Sequence, residues 1–191
     1  MGKDPRAGGT DAYATVLTNR KQNMETSEIK ILNIDIETVC SKLIALGAKN
    51  VFDNARIITY FKNNRDVGQP FLKLTEEDKL KLTSQNGQTH KEIKLFVSRK
   101  EECVALLETL GYYPVSEVSA RRISYELDGV DCDIDVFPEI PAFLEVDVDD
   151  TGIVLNDFLA KLGISENTRG VMSTPEIVQS YGKDYFEVYK K

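Results

Sequence analysis

Apolar and polar residues alternate along two short stretches in the last third of the chain. Cys132, Ile134 and Val136 interleave with Asp131, Asp133 and Asp135, and Leu144, Val146 and Val148 interleave with Glu145, Asp147 and Asp149. A period of two predicts strands, each with one apolar and one acidic face. The link "FPEIPAF" is short enough for an antiparallel hairpin, and Pro138 and Pro141 keep it from continuing as strand. Pairing the two strands sets carboxylate against carboxylate, which is unfavourable unless something positive lies over that face. Solvent counterions, Lys and Arg side chains, or a metal ion would each serve.

A second periodicity marks helices. Cys103, Leu106, Leu107 and Leu110 fall at i, i+3, i+4 and i+7, and Val39, Leu43 and Leu46 form a similar stripe. Gly47 and Gly111 stand where helices end. These segments belong to an internal repeat. "EIKILNIDIETVCSKLIALGA" from Glu28 and "EIKLFVSRKEECVALLETLGY" from Glu92 lie 64 residues apart, and "ARIITYF" from Ala55 echoes "ARRISYEL" from Ala120 at a spacing of 65. Each copy reads strand, helix, strand and then more strand. In the first copy this extra strand is "FLKLTEEDKLKLT", two strands about Glu76, Glu77 and Asp78. Two further helices are expected, one using Val154, Leu155, Phe158, Leu159 and Leu162, the other capped at Ser173 or Thr174 with Pro175 in its first turn.

The elements sum to about eight strands and two long helices in a pseudo-twofold α+β arrangement, and eight such strands can close into an antiparallel barrel with room inside for side chains or one small ligand. Apolar helix stripes need an apolar sheet face. With the helices packed outside, the polar strand faces point inward. Glu28 and Lys30 then share the interior with Lys73, Thr75, Lys81 and Thr83 of the "LKLT" strands and with Glu92 and Lys94. Arg122 joins them, because Ile123, Tyr125 and Leu127 take the apolar parity of its strand, and Asp133, Asp135, Glu145 and Asp147 complete the set. Acids and bases in one interior are expensive to desolvate unless they pair or bind a ligand. A divalent cation on the acids and phosphates on the bases is the economical chemistry.

Composition narrows this picture little. A chain of 191 residues with 41% hydrophobic content suits one domain, residues 24–191, preceded by a polar leader or appended segment at 1–23. A net charge of −7 gives no general attraction for nucleic acid or an anionic membrane, so an anionic ligand needs a local basic pocket. Cys40, Cys103 and Cys132 lack metal or disulfide spacing, which points to a reducing, cytoplasmic setting. No apolar run is long enough to span a bilayer. His90, the single histidine, sits beside a turn and is expected to face solvent.

From Glu28 to Tyr181 the chain resembles the CYTH superfamily, the triphosphate tunnel metalloenzymes, and among them the bacterial proteins grouped as class IV adenylyl cyclases. The likeness rests on "EIKILNID", "RRISYEL", "DIDVFPEIPAFLEVD" and "STPEIVQSYGKD". It implies a closed eight-stranded antiparallel tunnel, a triphosphate-containing small molecule as substrate, and Mg²⁺ or Mn²⁺ as cofactor. It allows a homodimer. The implied activity is conversion of ATP to cyclic AMP and pyrophosphate, or triphosphate hydrolysis; the alternative is a weakened tunnel that binds a nucleotide or polyphosphate without turnover. By the same likeness Glu28, Lys30 and Glu145 are catalytic, Lys30, Lys73, Lys81 and Arg122 hold the phosphates, and Glu28, Asp133, Asp135, Glu145 and Asp147 hold the metal. A C-terminal helix bearing Tyr181 closes one mouth. The sequence departs from the family pattern where Thr26 replaces the first Glu of Glu-x-Glu-x-Lys, and where Thr75, Gln85 and Lys94 stand for Arg, Lys and Glu.

Overall fold

The computed structural model describes residues 28–63, 72–77, 79–86, 91–147, 155–164, 169–170 and 172–191, with Glu28, Gln85, Asn86, Lys91, Glu92 and Arg169 described by backbone alone. The expected leader, Thr26, His90, Val148 and Asp149 lie outside them. The chain begins with β1 (Glu28–Ile31), α1 (Ile36–Ala45) and the long β2 (Lys49–Asn63), followed by β3 (Leu72–Glu76) and β4 (Leu80–Asn86). The sequence of elements then repeats with β5 (Lys91–Val97), α2 (Lys100–Thr109), the long β6 (Tyr112–Leu127), β7 (Val130–Val136) and β8 (Phe143–Asp147). After the repeat come α3 (Leu155–Lys161), a two-residue β9 (Arg169–Gly170), α4 (Thr174–Ser180) and α5 (Tyr185–Val188).

All the strands join one antiparallel sheet in the order β5-β4-β3-β2-β6-β7-β8-β1-β9. The two copies of the repeat interlock in it. Their long strands β2 and β6 pair at the centre, with Ile58 opposite Val118. Each copy's first strand then lies beside the other copy's last strand, β1 on β8 and β5 on β4. The expected barrel closure is not made among the described residues. There β5 pairs only with β4, and the second edge of β1 is occupied by β9 through Lys30 and Ile31.

The sheet nevertheless curls. In the sheet order β2 stands three strands from β8, about 14 Å if flat, yet Ile58 and Tyr60 of β2 join one packed cluster with Phe143 of β8.

Side-chain parity builds the two faces. Val39 and Leu43 of α1, Phe158 and Leu159 of α3, and Leu162 just after it cover Ile29, Ile123, Cys132, Ile134, Leu144 and Val146. Cys103 and Leu107 of α2 cover Phe61 and Leu74. The α2 stripe is narrower than its spacing predicts, since Leu106 and Leu110 remain exposed. Leu46 and Leu110 cap the two helices, and Gly47 and Gly111 follow at φ of 93° and 83°, a backbone that glycine adopts without Cβ strain.

The opposite, concave face is charged over most of its area and apolar at one end. There Ile58, Tyr60, Val118, Phe143, Ile177, Val178, Tyr185 and Tyr189 pack together. The C-terminal helices α4 and α5 thus plug that end of the concave face. Ser173 caps α4 through Glu176, as the sequence leads one to expect. The Tyr189 hydroxyl donates to the Pro138 carbonyl, which fastens the tail to the β7–β8 hairpin.

Candidate functional site

The acidic hairpin forms in the expected register. Asp131 pairs with Asp147 and Asp133 with Glu145, while Asp135 meets Phe143. Carboxylates therefore do face one another across the ladder. On one side of the hairpin β6 brings Arg122 opposite Asp135, and on the other β1 brings Lys30 opposite Glu145.

Arg122 is the centre of the site. Its Nε donates to Asp135 Oδ1 at 2.8 Å and its Nη2 to Asp135 Oδ2 at 2.7 Å, a two-point fork. Its Nη1 donates to Asp133, and Nη2 lies 3.8 Å from Glu145 Oε2. Lys30 Nζ holds the same Glu145 oxygen at 3.1 Å. From β2, Arg56 adds a second guanidinium to Asp135, with Nη2 at 2.7 Å from Oδ1, and its Nη1 reaches Glu77 at 3.1 Å. Asp135 is 1% exposed and accepts from two guanidiniums. Lys30, Arg56 and Arg122 thus answer Glu77, Asp133, Asp135 and Glu145, and the cluster keeps one excess negative charge.

These pairings set the proton affinities. Burial would raise the Glu145 carboxyl, but Arg122 and Lys30 outweigh it and hold it down to about 2. Glu145 is therefore a fixed anion at neutral pH. Asp133 moves the other way, because burial outweighs the Arg122 charge and the Ser124 hydrogen bond. Burial opposes the Arg122 charge too, yet Asp135 and Glu145 raise its pKa well above the ordinary value.

Carboxylate oxygens are the ligands a hard divalent cation takes. As placed, however, Asp133, Asp135 and Glu145 turn to the guanidinium of Arg122, with Lys30 and Arg56 beside it. Among the described residues no group of three or more His, Cys, Asp or Glu is arranged to hold a metal ion. The described acids do not fit a metal in this arrangement.

Compared by sequence, the chain matches no family model and no curated protein. Solved structures do match it. A Vibrio parahaemolyticus protein described as a "putative adenylate cyclase" superposes with a TM-score of 0.69 at 14% identity, covering 80% of this chain and 96% of its own. A Pyrococcus horikoshii OT3 protein gives 0.63 at 19% identity over 85% and 99% of the two chains. A Hippeastrum "putative adenylyl cyclase", described as having a dominant triphosphatase activity, gives 0.56 at 12% identity over 84% and 98%. The fold is theirs. The CYTH resemblance therefore holds at the level of the fold.

Of the residues singled out from the sequence, Lys30, Arg122, Asp133, Asp135 and Glu145 meet in one cluster. Asp147 sits at the hairpin end, with Glu28 and Asp131 as its register partners. Lys73 and Lys81 stand on the same concave face but on the far strands β3 and β4, at Tyr60 and Thr75 in the register. Arg56 and Glu77 join the cluster although the sequence pattern singled out neither, Glu77 standing only between the two strands of "FLKLTEEDKLKLT". The apolar parity of Ile57 and Phe61 against Arg56 was too irregular to mark it, since Ile58 and Tyr60 are apolar as well.

Proposed function

We propose that the concave face receives a triphosphate-containing small molecule and turns it over, either by cyclising a nucleotide with loss of pyrophosphate or by hydrolysis. The observation that carries the reading is the division of that face. Lys73, Lys81 and Lys94 rise from β3, β4 and β5, while Asp133, Asp135 and Glu145 are fixed by Arg122, Arg56 and Lys30 on the opposite strands. The names of the structural neighbours, described as "putative" adenylate cyclases, one of them with a dominant triphosphatase activity, support the same substrate class.

Such chemistry depends on positioning and charge more than on a protein nucleophile. In hydrolysis a water oxygen attacks the terminal phosphorus, the bridging P–O bond breaks, the rest of the chain leaves as the diphosphate and the attacked phosphorus is released as inorganic phosphate. In cyclisation a ribose hydroxyl attacks the first phosphorus and pyrophosphate leaves. Either attacking oxygen loses a proton, and Asp133 is the acid of the cluster best suited to take it, since burial raises its proton affinity. Glu145, held ionised, orients Lys30 and Arg122. Mg²⁺ or Mn²⁺ belongs to the reading as an added component of the assay, and no step is routed through it.

A second reading, binding without turnover, is favoured by one observation: the described acids of the cluster are already matched to Arg or Lys. Product analysis decides between the two. The protein is incubated with ATP and with tripolyphosphate, with and without Mg²⁺ or Mn²⁺, beside Glu145→Ala. Turnover predicts cyclic AMP plus pyrophosphate, or released phosphate, reduced at least a hundredfold in the variant. Retained binding with no product would leave the second reading, and neither binding nor product would remove both.

A further inference from the structure

The two copies of the repeat are built alike but covered unequally. At the 64-residue offset, Ile93 and Leu95 of β5 correspond to Ile29 and Ile31 of β1, and Leu106 of α2 corresponds to Lys42 of α1. Ile29 and Ile31 are 8% and 2% exposed, whereas Ile93 and Leu95 are 58% and 59% exposed. The first helices do not cause this, since Val39 and Leu43 of α1 and their counterparts Cys103 and Leu107 of α2 are all buried. The difference is α3. Its Phe158 and Leu159, with Leu162 after it, belong to one packed cluster with Ile29 and Ile31. The Lys42 ammonium donates to the Leu162 carbonyl at 2.7 Å, so Lys42 marks the flank of α1 that meets the end of α3.

The second copy has no segment for such a helix. Residues 148–168 separate β8 from β9, but only 87–90 separate β4 from β5, about one helical turn of chain. Among the described residues nothing takes the place of α3 over β5. The side chains it would cover, Ile93 and Leu95 on the strand with Leu106 and Leu110 on the flank of α2, are each 58% or 59% exposed. Where α1 has a lysine for the end of α3, α2 has a leucine.

The same face carries what would cover it. Leu106 and Leu110 are spaced i, i+4, as are Phe158 and Leu162 in the segment that covers β1, and that spacing sets two side chains on one line of a helix. A second copy therefore brings, on its own α2, the stripe that β5 lacks. Four such side chains make an apolar patch on the order of 400 Å², about half of the roughly 800 Å² per partner in a standard interface and suited to be its centre. Glu102, one turn before Leu106, is matched by Arg99, so this edge of the patch adds no net repulsion between copies.

We infer that this face joins two copies of the chain about a twofold axis, α2 of each lying over β5 of the other. Leu106 and Leu110 of one copy pack on Ile93 and Leu95 of the second, and the exchange is made twice. The contact lies on the helix-covered side of the sheet, so the inference stands or falls apart from the triphosphate reading.

The test is sedimentation velocity of the whole chain over a range of concentrations up to about 100 μM. Wild type is compared with Leu106→Lys, Leu95→Lys and, as an equally exposed apolar position outside the patch, Ile44→Lys (Ile44 is 59% exposed). The expected result is a wild-type dimer whose dissociation constant rises at least thirtyfold in Leu106→Lys and in Leu95→Lys, with Ile44→Lys unchanged. All three substituted side chains are exposed, so an unaltered circular dichroism spectrum separates lost association from lost fold. A chain carrying both Leu106→Lys and Leu95→Glu sets opposite charges together across the contact and should associate at least tenfold more tightly than Leu106→Lys alone. A wild type that stays monomeric would overturn the inference and leave the face to a helix of another protein. Unchanged association in both Leu106→Lys and Leu95→Lys would overturn it too, as would an equal loss in Ile44→Lys. A double variant no tighter than Leu106→Lys would overturn the helix-on-strand exchange.

Discussion

Arg121 and Arg122 are adjacent on β6, and each makes a two-point fork to an aspartate, yet the two pairs live in different solvents. Arg121 points out from the sheet, with Nε and Nη2 at 2.8 and 2.9 Å from the Asp53 oxygens and side chains 54% and 40% exposed. Arg122 points into the concave face, with Asp135 at 2.8 and 2.7 Å and side chains 13% and 1% exposed. The bond geometry is the same to within 0.2 Å. What differs is the cost of breaking it. Water and salt take over when the outer pair opens, so it contributes about 0.2–1 kcal/mol. When one member of the inner pair is removed, a desolvated charge is left behind. A list of salt bridges would rank the two equally; burial separates them.

The largest effect that would sharpen this contrast comes from Asp135→Asn. It leaves Arg56 and Arg122 beside each other with one acceptor charge fewer, and should cost about 3–5 kcal/mol in urea unfolding. Asp53→Asn should cost under about 1 kcal/mol and less in high salt. Equal losses at the two positions would break the comparison. A smaller effect is expected from Arg122→Lys, which keeps the charge but not the fork: about 1–3 kcal/mol, against about 0.5 kcal/mol or less for Arg121→Lys. Double-mutant cycles with Asp135 and Asp53 would isolate the two couplings.

A further effect is in pH. Glu145 has a folded pKa of about 2 against an ordinary 4.5. Its contribution is therefore present above pH 4.5 and fades as pH falls toward 2. Glu145→Gln should be less stable than wild type at pH 5, with the gap in melting temperature narrowing as pH is lowered through that window. A gap that widened on acidification would show that the Lys30 and Arg122 charges do not hold this carboxyl down.

Much of the fold was legible because its signals are periodic. Alternation in 131–136 and 143–147 fixed both strands and their charged face, and Ile123 and Tyr125 set Arg122 inward by parity. The repeat predicted the matched strand–helix–strand halves. Its limits were also those of periodicity. The echo of "ARIITYF" in "ARRISYEL" is spaced by an odd number and sets Arg56 level with Arg121, although a single-residue offset inverts which face a strand residue uses. In the structure Arg56 opposes Ala120, and Arg121 opposes Ala55, so the two arginines face opposite ways. Parity names a face but not a partner. That Asp133 and Asp135 would answer to Arg122 and Arg56 follows from register and curl, which no short stretch encodes. Alternation likewise gave no sign that, among the described residues, the second β1 edge is taken by Arg169 and Gly170, two residues with no strand pattern of their own.

The interlocked order of the sheet has a consequence for descent. The first strand of each copy rests on the last strand of the other, β1 on β8 and β5 on β4, and the long strands β2 and β6 need each other as central neighbours. Neither half carries a complete sheet. A half-length ancestor with this architecture would have been stable only as two chains exchanging their opening strands, so that duplication and fusion of the gene turned an obligate pairing between molecules into a fold within one.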